Sequence, residues 1–129
     1  MKSPSAFRIL YVARNEDDYA LLSAMYNFSD IQITPADTAA EALRKINSEQ
    51  YDLYLLETRL PDGDGFELCK TMRQFNPKTP IVFYTGDAGE DHRQKGLAVG
   101  ADAYLAKPYL DSLTVTLNEF IFGKDLPSA

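Results

Sequence analysis

The feature that most constrains this chain is a change of hydrophobic period that repeats five times. Short apolar runs, rich in β-branched and aromatic residues, alternate with segments whose apolar residues recur every three or four positions. The runs are residues 8–13 (RILYVA), 31–36 (IQITPA), 53–57 (LYLLE), 80–85 (PIVFYT) and 103–108 (AYLAKP), the last stopped by Pro108. The first intervening segment has acids at its front and Leu21, Leu22, Met25 and Tyr26 at helical spacing. Thr38 and Glu41 form the T-x-x-E pattern that opens a helix, with Ala39, Ala42, Leu43 and Ile46 as its apolar stripe. Leu68, Cys69, Met72 and Phe75 mark the buried face of the next helix. Residues 90–101 read as a weaker helix that Gly100 can close. Leu110, Leu113, Leu117 and Ile121 stripe the last, which Gly123 ends.

Strand and helix in strict alternation predict an α/β fold, a parallel sheet with helices on both faces. The right-handed crossover rule leaves few topologies. At 129 residues the chain suits one domain, expected over residues 6–123 with flexible ends at 1–5 and 124–129. In such sheets chemistry sits beyond the carboxyl ends of the strands. The residues expected there are Ala13, Arg14, Glu57, Thr85 and Lys107.

Composition narrows the function classes. The apolar runs are far too short to span a bilayer, and the start lacks the apolar core of a secretory signal. The lone cysteine, Cys69, allows neither an internal disulfide nor a thiolate metal cluster, which suits a reducing cytoplasm. The net charge is −6, and the 13 Lys and Arg form no run, so direct binding to nucleic acid or to a membrane is not expected.

Glu57 poses the functional question. A carboxylate at the end of a buried strand is costly unless something pairs with it or uses it. Its surroundings, LPDGDGFEL after the third strand, PIVFYTG at the fourth and GADAYLAKPY around the fifth, resemble the receiver domain of bacterial response regulators in two-component signalling. The likeness runs from about Arg8 to Phe122. It implies a flavodoxin-like, doubly wound three-layer sandwich: a five-stranded parallel sheet in order 2-1-3-4-5 with five helices. In that family an aspartate ending strand three accepts a phosphoryl group, two acids after strand one help hold Mg²⁺, a Thr or Ser ends strand four, and Lys-Pro ends strand five. An aromatic in strand five changes rotamer on switching. Carried over, Thr85, Lys107, Pro108 (with an implied cis bond) and Tyr104 match, while the acceptor position holds Glu57 and the acid pair falls on Ala13 and Arg14.

These departures set the expectation. Two metal-binding carboxylates are missing and a guanidinium replaces one, which disfavours a hard cation. Counting Glu57, Arg14 and Lys107 puts one anion between two cations. The extra methylene of Glu57 also displaces its oxygens by roughly one C–C bond, about 1.5 Å, and misplacement by about 1 Å can cost on the order of a hundredfold in rate. The expectation is a degenerate, atypical receiver: a phosphorylation-independent protein-interaction module with no enzymatic activity, cofactor or bound Mg²⁺. The alternative is a phosphoacceptor modified on Glu57 by a histidine kinase. A flavodoxin-like small-molecule binder ranks last, because residues 13–18 (ARNEDD) offer no glycine for a phosphate loop. Protein partners are expected on the face of helix four, strand five and helix five, where Tyr104 is either a half-buried sheet aromatic or part of the docking surface, and a homodimer is left open. Asp62 and Asp64 read as turn chemistry plus a helix cap, His92 as a solvated histidine and Cys69 as core.

Overall fold

A computed structural model describes residues 6–26 and 30–123; the expectation for residues 1–5 and 124–129 lies outside the described residues. The elements run β1 (Phe7–Val12), α1 (Glu16–Met25), β2 (Ile31–Ala36), α2 (Ala39–Ser48), β3 (Leu53–Leu56), β4 (Arg59–Leu60), β5 (Gly63–Asp64), α3 (Gly65–Phe75), β6 (Ile81–Thr85), α4 (Glu90–Ala98), β7 (Ala103–Ala106) and α5 (Leu110–Phe122). Five strands form one parallel sheet in the order β2-β1-β3-β6-β7. That is the expected 2-1-3-4-5 once β4 and β5 are set aside. These two-residue pieces pair antiparallel, Arg59 with Asp64 and Leu60 with Gly63. They make a small hairpin where the sequence reads only as a turn.

Alternation along the strands builds two cores, because successive side chains point to opposite faces. Leu10, Val12, Leu56 and Phe83 pack with Phe66, Cys69 and Met72 of α3 on one face. Ile9, Tyr11, Leu55 and Val82 pack with Leu22 of α1 and Leu113 and Leu117 of α5 on the other. Cys69 is fully buried, and that burial pushes its thiol up to about 11. No helix among the described residues is long and apolar enough to cross a membrane.

Three residues expected in apolar stripes lie outside the core. Leu21 and Met25 are 42% and 37% exposed, because α1 faces the sheet with Leu22 and Tyr26, about 100° further round the helix. Phe75, the last residue of α3, is 61% exposed. The helix starts are held as expected, with one addition. Thr38 Oγ1 accepts the Glu41 N–H at 3.0 Å, and the Glu41 carboxylate reaches back to the Asp37 N–H at 2.8 Å. Asp64 caps α3 by accepting the Phe66 N–H. Asp62 reaches across to α2 and accepts the Ala39 and Ala40 N–H groups at 2.8 and 3.0 Å, which holds its carboxyl below the usual range. The segment after β3 is thereby tied to two helices.

One glycine matters for the site. A Cβ on Gly65 would lie 2.1 Å from the Glu57 carbonyl oxygen, so only glycine lets α3 begin directly against the end of β3.

Candidate functional site

The expected site residues converge at the carboxyl ends of β1, β3, β6 and β7. Glu57 follows β3, its N–H held by the Val12 carbonyl at 2.9 Å. Lys107 follows β7, its N–H held by the Thr85 carbonyl at 2.8 Å, and the Lys107–Pro108 peptide is cis. Lys107 Nζ lies 2.9 Å from Glu57 Oε2 and 2.6 Å from Asp18 Oδ2, and all three side chains are a quarter exposed or less. Asp18 was not anticipated. It sits one turn before Leu22 and two before Tyr26, on the buried stripe of α1, and that stripe turns it inward.

Asp18 reverses the local charge count. Glu57, Arg14 and Lys107 alone would make one anion between two cations; with Asp18, the structure puts one cation, Lys107, between two anions. Arg14 is exposed on the rim, and no ion pair reaches it among the described residues. Arg14 therefore does not serve as the second cation beside Glu57 that the charge count assumed: after the end of β1 the chain turns outward, while Asp18 enters from the helix. Burial alone would lower the Lys107 pKa, but Asp18 and Glu57 outweigh it and raise it. Beneath lie Tyr84, its ring centroid 5.5 Å from Lys107 Nζ, and Tyr11, whose hydroxyl is driven well above its ordinary range by burial and then by Asp18 and Glu57.

A second network runs from Glu57 toward α4. Glu57 Oε1 accepts the Thr58 N–H at 2.8 Å. Thr58 Oγ1 is 2.6 Å from Asp87 Oδ2, 2.8 Å from Thr85 Oγ1 and 3.2 Å from Glu57 Oε1. A hydroxyl has one proton to give. The shortest contact, to a carboxylate, takes it. Thr58 then accepts from Thr85, and Thr85 accepts the Asp87 N–H at 3.1 Å. The result is a closed ring of three donors and three acceptors. Thr85 and Thr58 are 0% and 3% exposed, so the Thr85 hydroxyl is a structural partner rather than an idle strand end. Arg59 completes the network with two bonds of 3.0 Å to the Asp87 carboxylate, which, with the Thr58 bond, hold that carboxyl below its usual range.

Tyr104 is half-buried. Its ring stacks on Phe66 at 6.4 Å and 7° and tilts against Phe83 at 5.5 Å, and its hydroxyl donates to the Asp87 carbonyl at 2.6 Å. Burial, then Asp87 and Glu57, push that hydroxyl up to about 12. The open space left is a cleft of about 290 Å³ lined by Ala13, Arg14, Asn15, Glu57, Arg59, Thr85, Gly86 and Asp87. Asp62 and Asp64 are spent as helix caps, and His92 is exposed.

A five-stranded parallel sheet with Lys, carboxylate and Thr gathered at its carboxyl end defines a receiver-type site, and comparison with known proteins agrees. The family described as response regulator receiver domain matches residues 9–117. Over 117 residues the chain is 32% identical to the sensor protein EvgS of Escherichia coli strain K12, covering 90% of this chain and 10% of that protein. It is 36% identical over 102 residues to the alkaline phosphatase synthesis transcriptional regulatory protein PhoP of Bacillus subtilis strain 168, covering 79% of this chain and 42% of that protein. The chain thus spans less than half the length of these curated relatives. Among solved structures, a two-component response regulator from Clostridium difficile superimposes with a TM-score of 0.85 at 32% identity, covering 93% of this chain and 99% of that one. The non-phosphorylated HemR receiver domain from Leptospira biflexa gives 0.81 at 30% identity, covering 89% and 94%. The chain belongs to the response-regulator receiver domains of two-component signalling. Domains of this family interact with proteins such as kinases and effectors.

Proposed function

We propose that this chain is an atypical receiver that works as a protein-interaction module without phosphorylation and without catalysis of its own. The observation that carries the reading is the engagement of Glu57: Oε1 holds the Thr58 N–H, and Oε2 faces Lys107, which Asp18 also holds. A nucleophilic carboxylate needs an oxygen free to meet phosphorus and a counter-charge for the transferring group. The donor set does not fit the Mg²⁺ that the family implies. Ala13 supplies a methyl group, Arg14 a cation, and Asp18 is committed to Lys107. Among the described residues no three His, Cys, Asp or Glu side chains converge on one point.

The module reading places protein partners on the face of α4, β7 and α5. The exposed large apolar groups of α5 and the residue that precedes it are Tyr109, Val115 and Phe122, 65%, 59% and 56% exposed. The second reading, phosphorylation on Glu57, requires Lys107 to leave Glu57 Oε2, 2.9 Å away, and serve as counter-charge to the transferring group. Incubation with acetyl phosphate and Mg²⁺ separates the two. The expected result on a Phos-tag gel and by intact mass is no stable adduct. A Mg²⁺-dependent acyl phosphate on Glu57 overturns the proposal.

A further inference from the structure

The loop from β6 to α4 is Gly86-Asp87-Ala88-Gly89, and Asp87 is its one residue with a polar side chain. Gly89 has a φ of +124°, and α4 begins there without a side-chain cap. Two glycines and an alanine do little to fix a loop. Asp87 is bound at every polar group it has. Its carboxylate takes two bonds of 3.0 Å from Arg59 and one of 2.6 Å from Thr58. Its N–H bonds to Thr85 at 3.1 Å, and its carbonyl receives the Tyr104 hydroxyl at 2.6 Å. The Tyr104 ring in turn occupies space that depends on Gly96, where an added Cβ would sit 2.6 Å from Tyr104 Cδ2.

We propose that the Arg59–Asp87 pair is a latch: it fixes the loop carbonyl that holds Tyr104 inward, so the docking face is set with no phosphoryl group involved. Asp87 is the positioning residue, acting through its carbonyl on Tyr104. The inference rests on the interaction-module reading and names what regulates that face. The latch faces solvent, with the Arg59 side chain 82% exposed, so it opens without disturbing the core.

The test uses the full chain carrying 3-fluorotyrosine, with the Tyr104 ¹⁹F signal assigned by Tyr104→Phe. Arg59→Ala and Asp87→Ala each move that signal toward a solvent-exposed position, raising the ratio of outward to inward ring by about three- to tenfold, as for loss of one exposed bidentate pair. Arg59→Lys keeps the charge without the fork and restores part of the inward signal. The buried Tyr11 and Tyr54 signals stay in place, showing that the fold is intact. In the unsubstituted protein, going from low salt to about 1 M NaCl produces the same shift, and in Arg59→Ala it produces none. A Tyr104 signal unmoved by Arg59→Ala overturns the latch, as does a salt response that survives the substitution. The parent reading fails separately: an acyl phosphate on Glu57 removes phosphorylation independence and leaves the Arg59→Ala shift as it was.

Discussion

The two ends of the sheet use cations in opposite ways. At the amino ends of the strands, arginines bind backbone. Arg73 donates to the Gly100 carbonyl at 3.1 and 2.7 Å and to the Thr79 carbonyl at 2.7 Å, and it pairs with Asp102 at 3.0 Å. Asp102 also accepts the Ile81 N–H at 2.8 Å. Arg8 holds the Gln50 carbonyl at 3.1 Å, pairs with Glu49 and lies 4.8 Å from the Tyr51 ring centroid. At the carboxyl ends, Lys107 and Arg59 pair with carboxylates, and Lys107 also lies over the Tyr84 ring. One end ties loop to strand through the main chain. The other arranges side chains around a cleft. Substitution at the first removes scaffold; substitution at the second rearranges a pocket.

The largest effect is therefore expected far from the site. Arg73→Ala leaves the Gly100 and Thr79 carbonyls without their charged donor in a partly buried position. Urea unfolding should show a loss of about 2–4 kcal/mol. The Tyr104 ¹⁹F signal should not move. A loss under about 1 kcal/mol, or a shifted Tyr104, breaks the division between the two ends.

Lys107→Met comes next. It leaves Asp18 and Glu57 facing one another and should cost about 1–3 kcal/mol, part of which a second change, Glu57→Gln, recovers. The pH dependence carries the sign. The folded Lys107 pKa is raised, so its contribution is fully present below the unfolded value of about 10.4 and is lost as pH rises through the higher folded value. Tyr104, at about 12, has the same sign, since the folded state again keeps a proton that the unfolded state releases first. Stability should fall on the alkaline side, less steeply in Lys107→Met. Equal slopes in both proteins would remove Lys107 from the account.

What could be read from residues alone follows from the range of the forces involved. The strands and caps are local, and Thr38, Glu41 and Asp64 act where their spacing put them. Glu57, Thr85 and Lys107 meet as their strand-end positions require. Asp18 was missed because α1 offers two candidate stripes, Leu21 with Met25 and Leu22 with Tyr26, and only packing against the sheet selects the second. Extending that stripe back by one turn reaches Asp18 and would have found it. The Arg59–Asp87 pair joins residues 28 apart, one on the short strand β4 and one on the loop after β6, and no local pattern encodes it.

The smallest effect on stability belongs to that pair. Arg59 is a surface side chain, and Arg59→Ala should lower Tm by no more than about 3 °C at neutral pH. The Asp87 pKa is depressed by Arg59 first and then Thr58, so its contribution exists above the unfolded carboxyl value of about 3.9 and is lost as pH falls through the lower folded value. The Tm difference between the two proteins should be flat from neutral pH down to about pH 4 and then close. A difference that persists in stronger acid would mean that Arg59 acts by packing rather than by charge. If it closes, the pair is an ionic contact worth little to the fold. Its weight then falls on the four-residue loop, where Asp87 is the one polar side chain and Arg59 adds to the hold of Thr58 and Thr85 on the residue whose carbonyl Tyr104 binds.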